Sequence, residues 1–382
     1  MTTPTATTSE EHAELRAMVR RFAEEQLAPR AAADEATARF PRDVFAELGE
    51  LDLAGLPFDE ADGGAGGAGS AALEVIEEMS RAWLTVGLGL SVHHLATGVV
   101  ARHATGELRS QALGELTSGR WLAAYALSEP HSGSDSSALA TRAERDGDEY
   151  VLRGTKAWVT HAGAADVYVV MCRTGEHKTR GVTALLVPAA TPGLAFPPPE
   201  RKMGMHASPT GQLVLDDARV PVANRLGEEG EGITIALRAL DGGRLGIASC
   251  AVGLAQAALE RATAYAAERE QFGRPIADFQ GLRFMLADMA TKVAAARALT
   301  RDAAARRDAG EAYGQLAAMA KLAATDAAMA VTTDAVQILG GAGYTSDEPV
   351  ERWFREAKVL QIVEGTNQIQ RMVIARGLLE GA

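Results

Sequence analysis

The sequence predicts three consecutive regions: a helical region, a β-rich region and a second helical region. Apolar residues recur at three- and four-residue steps up to about residue 119. Short runs rich in β-branched residues replace that pattern between about 120 and 228, and long alanine-rich stretches follow. Because helices and strands do not alternate, we expect separate domains rather than an alternating β/α sheet. We place these domains at 1–119, 120–228 and 229–382.

The first region carries amphipathic helical patterns. Residues 14–28 place their apolar side chains on one side of a helix, and residues 73–90 show the same period. The most apolar early stretch, 83–101, is interrupted by His93 and His94. That interruption favours a buried helix over a membrane span.

The second and third regions differ in the length of their elements. Four short β-rich runs lie at 149–152, 167–171, 182–187 and 212–215, and Asp146-Gly147 predicts a hairpin turn before the first. In the third region, residues 278–307 contain no proline and would form a helix of about 45 Å. Residues 311–339 are similar. Long helices joined by short turns predict a four-helix bundle.

Composition restricts the class of protein. The 382 residues carry a net charge of −12, which argues against a duplex nucleic acid as partner. Cys172 and Cys250 lack metal-ligand spacing, so we expect reduced thiols and no metal site. The polar N-terminus has no apolar signal core. These features predict a cytoplasmic protein.

Two weak motifs favour structural interpretations. Residues 64–69 fit the pattern GxGxxG, but no strand precedes them, so we interpret them as a loop and not as a dinucleotide fingerprint. His93, His94 and His103 lack accompanying carboxylates at ligand spacing, and we expect packed or surface histidines.

Four further stretches leave a structural and a functional interpretation open. The serine- and glycine-rich run 127–135 suits a loop that binds a phosphate or a heteroaromatic ring, or an ordinary surface turn. Trp158 would be a core residue or a stacking platform, and core packing is favoured for it in isolation. Residues 269–273 and 337–343 end predicted helices, where arginine and glycine are common without any ligand.

Glu364 stands out in the stretch Glu-Gly-Thr-Asn-Gln-Ile-Gln. A helix start with Asn367 as its N-cap and Gln370 three residues later accounts for part of this stretch. It leaves unexplained why a glutamate lies before the helix, next to Ile362, Val363 and Gly365. Because apolar surroundings raise the pKa of a carboxyl group, Glu364 is a candidate general base.

Taken together, these stretches resemble the acyl-CoA dehydrogenase family over nearly the whole chain. The motifs occur in the family's order and spacing, and only their combination is specific. They are Ala-Leu-Ser-Glu-Pro at 126–130 with Gly-Ser-Asp at 133–135, Trp-Val-Thr at 158–160, Arg-Glu-Gln-Phe-Gly at 269–273, Gln-Ile-Leu-Gly-Gly at 337–341 and Glu-Gly-Thr at 364–366.

The resemblance implies a fold, a cofactor and a set of site residues. The fold is an N-terminal α-helical domain, a middle β domain and a C-terminal four-helix bundle, assembled as a homo-oligomer for which a tetramer is expected. The cofactor is FAD, and the implied catalytic base is Glu364. The implied FAD site, part of it across a subunit interface, consists of Tyr125, Leu127, Ser128, Gly133, Ser134, Trp158, Val159, Thr160, Arg269, Phe272, Gln280, Gln337, Gly340, Gly341, Thr366 and Gln368. The implied substrate contacts are Ser134, Asp241, Arg244 and Arg376.

The implied reaction is the FAD-dependent dehydrogenation of a short-chain, linear or branched acyl-CoA to the trans-2-enoyl-CoA, with electrons passed to electron-transfer flavoprotein. The isovaleryl branch carries its base next to the arginine of segment 241–244, where this chain has Gly243, so the similarity is to butyryl- and isobutyryl-type members. An acyl-CoA oxidase, a dehydrogenase acting on acyl carrier protein and a non-catalytic scaffold remain as alternatives. His131 and His161 depart from the common pattern, and His161 is expected near the flavin edge.

Overall fold

The N-terminal helices form because their apolar faces pack into one core. The computed structural model describes residues 9–380. Its first helices are α1 (Ser9–Phe22), α2 (Ala28–Thr37), α3 (Arg42–Glu50), α4 (Gly69–Ala82), α5 (Leu84–His103) and α6 (Gly106–Thr117). The helix predicted at 14–28 is interrupted by a π-helical turn, Ala23–Leu27, and the pattern at 73–90 is divided between α4 and α5 at Trp83, whose backbone is extended.

Helix α5 is long and apolar enough to cross a membrane by length and composition. However, 83% of its most apolar window is buried inside the protein. A helix that is apolar on all sides belongs in the core of a large domain, which is where α5 lies, against α4 and the later helix α7. Its polar residues His93 and His94 form hydrogen bonds with backbone groups, so they do not form a solvent-facing polar side of the helix.

The middle region folds into one mixed sheet. Its strands are β1 (Ala123–Ala126), β2 (Arg142–Asp146), β3 (Glu149–Thr160), β4 (Val167–Arg173), β5 (Val182–Pro188), β6 (Leu194–Ala195), β7 (Thr210–Pro221) and β8 (Arg225–Leu226). The order is β6-β7-β3-β2-β4-β5-β8, and β1 pairs in parallel with β4. The hairpin predicted at Asp146-Gly147 joins β2 to β3, with Gly147 at φ 63°.

The C-terminal region is helical, as predicted. It contains α7 (Gly232–Glu268), a small hairpin of β9 (Glu270–Gln271) and β10 (Arg274–Pro275), and then α8 (Gln280–Asp308), α9 (Gly314–Leu339), α10 (Val350–Leu360) and α11 (Asn367–Glu380). Helix α7 packs against α4, α5, α8 and α9 through buried glycine and alanine residues, which let the helix axes approach closely. The predicted succession of helical, β and helical domains is therefore confirmed.

Two buried glutamates lie where the three regions meet. Glu35 of α2 accepts hydrogen bonds from Nε1 of Trp83 at 2.9 Å and from the backbone N–H of Ala207 in the middle region at 3.1 Å. Glu356 of α10 is 1% exposed, and its carboxyl oxygens make no hydrogen bond within residues 9–380. Burial raises the pKa of Glu356 to about 8, although Arg352, 3.5 Å away, opposes the shift.

We expect Glu356→Gln to change how stability depends on pH. The unfolded carboxyl releases its proton near its usual pKa, whereas the folded one keeps it up to about pH 8, so wild-type stability falls as pH rises between these values. Because Gln cannot ionise, the free energy of unfolding of the variant should rise relative to that of the wild type between pH 5 and pH 8, by up to a few kcal/mol. The melting temperature should rise relative to the wild type over the same range. Thermal melts at several pH values, with the exposed Glu47→Gln as control, measure this; a constant difference across the range would contradict it.

Candidate active site

Glu364 lies in the short connection between α10 and α11 with a positive φ of 55°. A left-handed backbone is uncommon outside glycine and persists only where the surroundings enforce it. Nε2 of Gln370 donates to the carbonyls of Glu364 at 3.1 Å and Gly365 at 2.8 Å. Nζ of Lys321 donates to the same carbonyl of Gly365 at 3.0 Å. These bonds hold the backbone from which the Glu364 carboxyl projects.

The carboxyl of Glu364 is directed at helix α7. A Cβ placed on Gly243 would lie 2.4 Å from Oε2 of Glu364 and 2.5 Å from Leu95, so a side chain there would have to displace the carboxyl and the leucine. Oε2 is buried and makes no hydrogen bond in the part of the chain that the structure describes. Burial raises the pKa of Glu364 to about 7, opposed first by the charge of Arg244 and then by Lys321. A free oxygen on a carboxyl that titrates near neutrality suits a general base.

A buried lysine supports this loop. Lys321 of α9 is fully buried, and its Nζ also donates to Oδ1 of Asn367 at 2.8 Å. Burial lowers the pKa of Lys321 to about 8, and the negative charge of Glu364 partly offsets the shift. On α7, Arg244 forms an ion pair with Asp241. Lys321 is absent from the residues predicted above, because a single lysine in an alanine-rich helix normally extends to solvent.

The predicted N-cap of the last helix is wrong. Asn367 is the first residue of α11 and is buried, and it bonds to Lys321 and Thr325. The cap is Thr366, whose Oγ1 accepts the backbone N–H of Ile369 at 3.3 Å. The amide of Asn367 is therefore used to connect α11 to α9.

A buried ion pair shapes the loop that follows β1. Nζ of Lys156 lies 2.7 Å from Oε1 of Glu129 and also donates to the carbonyl of Leu127 at 3.2 Å. Glu129 further accepts the backbone N–H groups of Ala140 at 2.7 Å and Thr141 at 2.9 Å. Burial acts to raise the pKa of Glu129, but Lys156 and the Ala140 N–H bring it below its usual value. The loop 127–135 is therefore an ordered structure, stabilised by the buried ion pair of Glu129 and Lys156 and by their bonds to the backbone.

Trp158 is exposed and is not a core residue. The pairing of β3 with β7 shifts between Lys156 and Val159, and Trp158 takes a positive φ of 60° in this bulge. As a result the indole is 62% exposed, while Val159 next to it is buried. The interpretation favoured for an isolated tryptophan is wrong here, and the exposed ring can stack on a planar ligand.

His161 does not lie at an exposed edge. It is fully buried, with its ring 5.5 Å from the rings of both Phe40 and Phe45, and its Nδ1 is 3.2 Å from the carbonyl of Ala123. Burial lowers the pKa of His161 to about 4, so it is neutral at pH 7. The backbone of His161 has a positive φ where β3 ends, and its side chain packs into the core. Its position relative to a bound flavin stays a prediction.

Tyr125 connects the β1 end of the site to Glu364. Its hydroxyl is buried without a hydrogen bond among the described residues, and burial and then the charge of Glu364 raise the pKa of Tyr125. The phenol is therefore neutral, and it lies near enough to Glu364 for the charge of that carboxyl to act on it. Ser128 is half-buried, whereas Gly133 and Ser134 are exposed beyond it.

The remaining predicted site residues lie at the surface of the single chain. Phe272, in the turn of the β9–β10 hairpin, is 94% exposed, and a Cβ on Gly340 or Gly341 would meet nothing within 4 Å. Thr366 is half-buried. The others are exposed: Arg269, Gln280, Gln337, Gln368 and Arg376. One chain thus brings together Glu364, Tyr125, Arg244 and Asp241. It leaves most of the other predicted site residues exposed to solvent.

The glycine-rich run at 64–69 packs closely against the backbone and side chains of residues 56–58. A Cβ on Gly64 would lie 2.2 Å from the carbonyl oxygen of Phe58, and one on Gly67 would lie 2.6 Å from Leu56. Backbone N–H groups of this loop bond to carbonyls of Leu56 and Phe58. The prediction that it is a loop is confirmed.

Comparison with known proteins identifies the family. The chain matches "Acyl-CoA dehydrogenase, N-terminal domain" over residues 9–120, the middle domain over 124–218 and the C-terminal domain over 230–379. It is 45% identical to an acyl-CoA dehydrogenase of Bacillus subtilis, over 98% of this chain and 99% of that one. It is 43% identical to a short-chain specific acyl-CoA dehydrogenase of Clostridium acetobutylicum, over 94% and 96%.

Comparison with solved structures indicates the same family. Butyryl-CoA dehydrogenase from Megasphaera elsdenii superposes with a TM-score of 0.96 at 38% identity, over 98% of this chain and 100% of that one. A chain from a study of the electron transferring flavoprotein of Acidaminococcus fermentans superposes with a TM-score of 0.96 at 42% identity, over 98% and 99%. The protein therefore belongs to the acyl-CoA dehydrogenase family, whose members are FAD-containing oxidoreductases.

Proposed function

We propose that this chain catalyses the α,β-dehydrogenation of a short-chain, linear or branched acyl-CoA to the trans-2-enoyl-CoA, with Glu364 as the base. The observation that carries the proposal is the free, buried Oε2 of Glu364, on a carboxyl whose pKa is about 7. Gly243 adds support because it leaves room for that oxygen and provides no carboxylate of its own. The relatives named as short-chain specific support the substrate class.

Glu364 takes two roles in this proposal. Its carboxylate removes a proton from the carbon next to the thioester carbonyl, and the Cα–H electron pair moves toward that carbonyl. Its backbone N–H makes no hydrogen bond within residues 9–380 and can donate to the carbonyl oxygen as negative charge develops there. Arg244 and Lys321 keep a fraction of the carboxyl ionised at neutral pH despite its burial.

FAD, when bound, supplies the acceptor for the hydride that leaves the β-carbon. The residues present fit such a group. Trp158 offers an exposed ring, and Tyr125 a buried hydroxyl without a partner in the described chain. The loop at Ser128 is rigidly held by Glu129 and Lys156 beneath it. The exposed residues 269–272, Gln337, Gly340 and Gly341 would complete the site in a homo-oligomer, for which we propose a tetramer.

Electron-transfer flavoprotein is the acceptor that we propose for the reduced cofactor. The likeness to a chain from a study of such a flavoprotein supports this choice. The Asp241–Arg244 pair, next to Glu364 on α7, and Ser134 are the proposed contacts for the CoA part of the substrate, together with Arg376 on α11. We place the enzyme in the cytoplasm, in the oxidation of fatty acids or of branched acyl groups.

The direct test is the visible spectrum of the FAD-loaded protein without oxygen. Addition of butyryl-CoA or isobutyryl-CoA should bleach the flavin, and the relative rates would rank straight against branched chains. The product should be the trans-2-enoyl-CoA in an amount equal to the flavin reduced. A spectrum unchanged by every acyl-CoA offered would reject acyl-CoA as the substrate.

A further inference from the structure

Two lysines are fully buried in the part of the chain that the structure describes, and they differ in their partners. Nζ of Lys156 lies 2.7 Å from a carboxylate oxygen of Glu129, so its charge is paired directly. Nζ of Lys321 donates only to neutral oxygens among the described residues, the carbonyl of Gly365 at 3.0 Å and Oδ1 of Asn367 at 2.8 Å. Because a buried ammonium group without an ion pair is costly, the charge of Lys321 needs an explanation.

A structural role explains the hydrogen bonds of Lys321 but not its charge. The bonds join α9 to the connection between α10 and α11 and to the first residue of α11. Asn367 is itself oriented, because its Nδ2 donates to Oγ1 of Thr325 at 2.9 Å and to Oδ1 of Asp326 at 2.7 Å. A neutral donor such as glutamine could form the same two bonds as Lys321. The positive charge is therefore what the structural role leaves unexplained.

Glu364 supplies a counter-charge for this lysine. Burial lowers the pKa of Lys321 to about 8, and the charge of Glu364 opposes the shift more strongly than that of Asp326. Burial likewise raises the pKa of Glu364 to about 7, and Arg244 and then Lys321 oppose that shift. Arg244 has a carboxylate of its own, since it forms an ion pair with Asp241. Lys321 has no such ion pair, so its charge acts on Glu364 without direct neutralisation.

Two further titratable groups near Glu364 carry no charge at neutral pH. Burial and then the charge of Glu364 raise the pKa of Tyr125. Burial raises the pKa of the Cys250 thiol to about 12. Both groups therefore stay neutral, and the cations that stabilise the ionised form of Glu364 are Arg244 and Lys321.

The bond from Lys321 to the Gly365 carbonyl also acts on the backbone of Glu364. Glu364 and Gly365 have positive φ angles of 55° and 86°. Such a backbone is unfavourable for glutamate and persists only where neighbouring groups enforce it. Nζ of Lys321 and Nε2 of Gln370 both donate to the carbonyl of Gly365. They therefore hold the segment from which the carboxyl and the N–H of Glu364 project.

We propose that Lys321 is a positioning residue for the reaction: it holds the connection that carries Glu364 and supplies a buried positive charge that stabilises the Glu364 carboxylate. This inference rests on the proposed dehydrogenase activity. Lys321 stays protonated at neutral pH, and only Glu364 accepts the proton from the α-carbon. Loss of the charge should therefore change the pH at which Glu364 ionises, whereas loss of the hydrogen bond should change the rate that the ionised form reaches.

Three variants separate the charge from the hydrogen bond. Lys321→Gln removes the charge and keeps an N–H donor, and Lys321→Met removes both. Lys358→Gln is the matched control, because it removes the charge of an exposed lysine on α10, shortly before Glu364 in the chain. Ionisation of Glu364 is followed in the FAD-loaded proteins through the infrared absorption of its protonated carboxyl, assigned by subtraction of the Glu364→Gln spectrum. This readout requires no substrate.

The midpoint of the infrared titration is the deciding quantity. In the wild type the Glu364 carboxyl should ionise with a midpoint near pH 7. In both Lys321 variants the midpoint should move up by about one pH unit, because a buried counter-charge is lost. Lys358→Gln should leave the midpoint unchanged, since water and salt screen an exposed charge.

Flavin reduction by butyryl-CoA should show the same shift in its pH profile. At pH 6, below every midpoint, both Lys321 variants should react about tenfold more slowly than the wild type. At pH 9 Lys321→Gln should approach the wild-type rate, whereas Lys321→Met should stay about tenfold slower, because its connection is no longer held. The butyryl-CoA concentration at half-maximal rate should change little, since Lys321 acts through Glu364 and not on the substrate.

The outcomes separate this inference from the proposed function. An unshifted midpoint in the Lys321 variants, or an equal shift in Lys358→Gln, overturns the role of Lys321. If one Lys321 variant fails to fold, the other decides, because both remove the charge. A shifted midpoint in a protein whose flavin no acyl-CoA bleaches would support the counter-charge and reject the dehydrogenase. Bleaching of the flavin with an unshifted midpoint would support the dehydrogenase and reject Lys321 as its positioning residue.

Discussion

Replacement of Glu364 by glutamine is expected to lower the rate of flavin reduction by acyl-CoA about 100- to 10,000-fold. The amide has nearly the shape of the carboxyl, so it should still fit against Gly243 and leave the backbone N–H of residue 364 in place. It cannot accept the proton from the α-carbon. Stopped-flow measurement without oxygen should therefore show substrate binding, seen as a perturbed flavin spectrum, without the subsequent bleaching.

The rate of flavin reduction by acyl-CoA should also depend on pH, because it requires the ionised form of Glu364. Burial raises the pKa of Glu364 to about 7, and only the ionised form removes a proton. The wild-type rate should thus rise with pH through about 7 and level above it, and the slow residual rate of the Gln variant should lack this rise. Glu356→Gln is the matched control, since Glu356 is also a buried carboxyl with a raised pKa but lies beside Gly204 of the middle region. If Glu364→Gln keeps most of the wild-type rate, Glu364 is not the base.

The fold follows from local patterns in this sequence because its elements are long and regular. The alanine-rich helices α8 and α9 begin and end within about three residues of their predicted bounds. The helical period and the turn-forming residues at their ends together predict those bounds. Strand β3 extends well past the predicted run 149–152, because its later residues alternate irregularly around a bulge. Such a bulge depends on the partner strand, and no local pattern shows it.

The site was predictable where one residue conflicts with its neighbours. Glu364 could be singled out because a glutamate among apolar residues before a helix has no structural explanation. Lys321 could not, because its partners are the carbonyl of Gly365 and the amide of Asn367, more than 40 residues away. The burial of His161 depends likewise on Phe40 and Phe45, which only the tertiary fold brings beside it.

The second large effect is expected at Lys156. Lys156→Met should leave the Glu129 carboxylate buried with two backbone N–H donors and, in place of the lysine, only the ring of His131 at 3.6 Å. Loss of one partner of a buried ion pair destabilises a protein by about 3 to 5 kcal/mol. The bond from Nζ to the carbonyl of Leu127 is lost as well, so the loop at 127–135 should loosen. We expect a lower melting temperature and, at equal protein concentration, less bound FAD as judged by flavin absorbance after gel filtration.

The double variant Glu129→Gln with Lys156→Met decides how this ion pair acts. Removal of both charges abolishes the uncompensated carboxylate, and replacement of a buried pair by groups of similar volume is often close to neutral. The double variant should therefore recover much of the melting temperature lost in Lys156→Met. If FAD content recovers with it, the pair matters through stability. If the melting temperature recovers while FAD remains low, the bonds from Lys156 to Leu127 and from Glu129 to the backbone are what hold the loop in its ligand-binding shape. A single Lys156→Met variant with unchanged melting temperature and FAD content would contradict both roles.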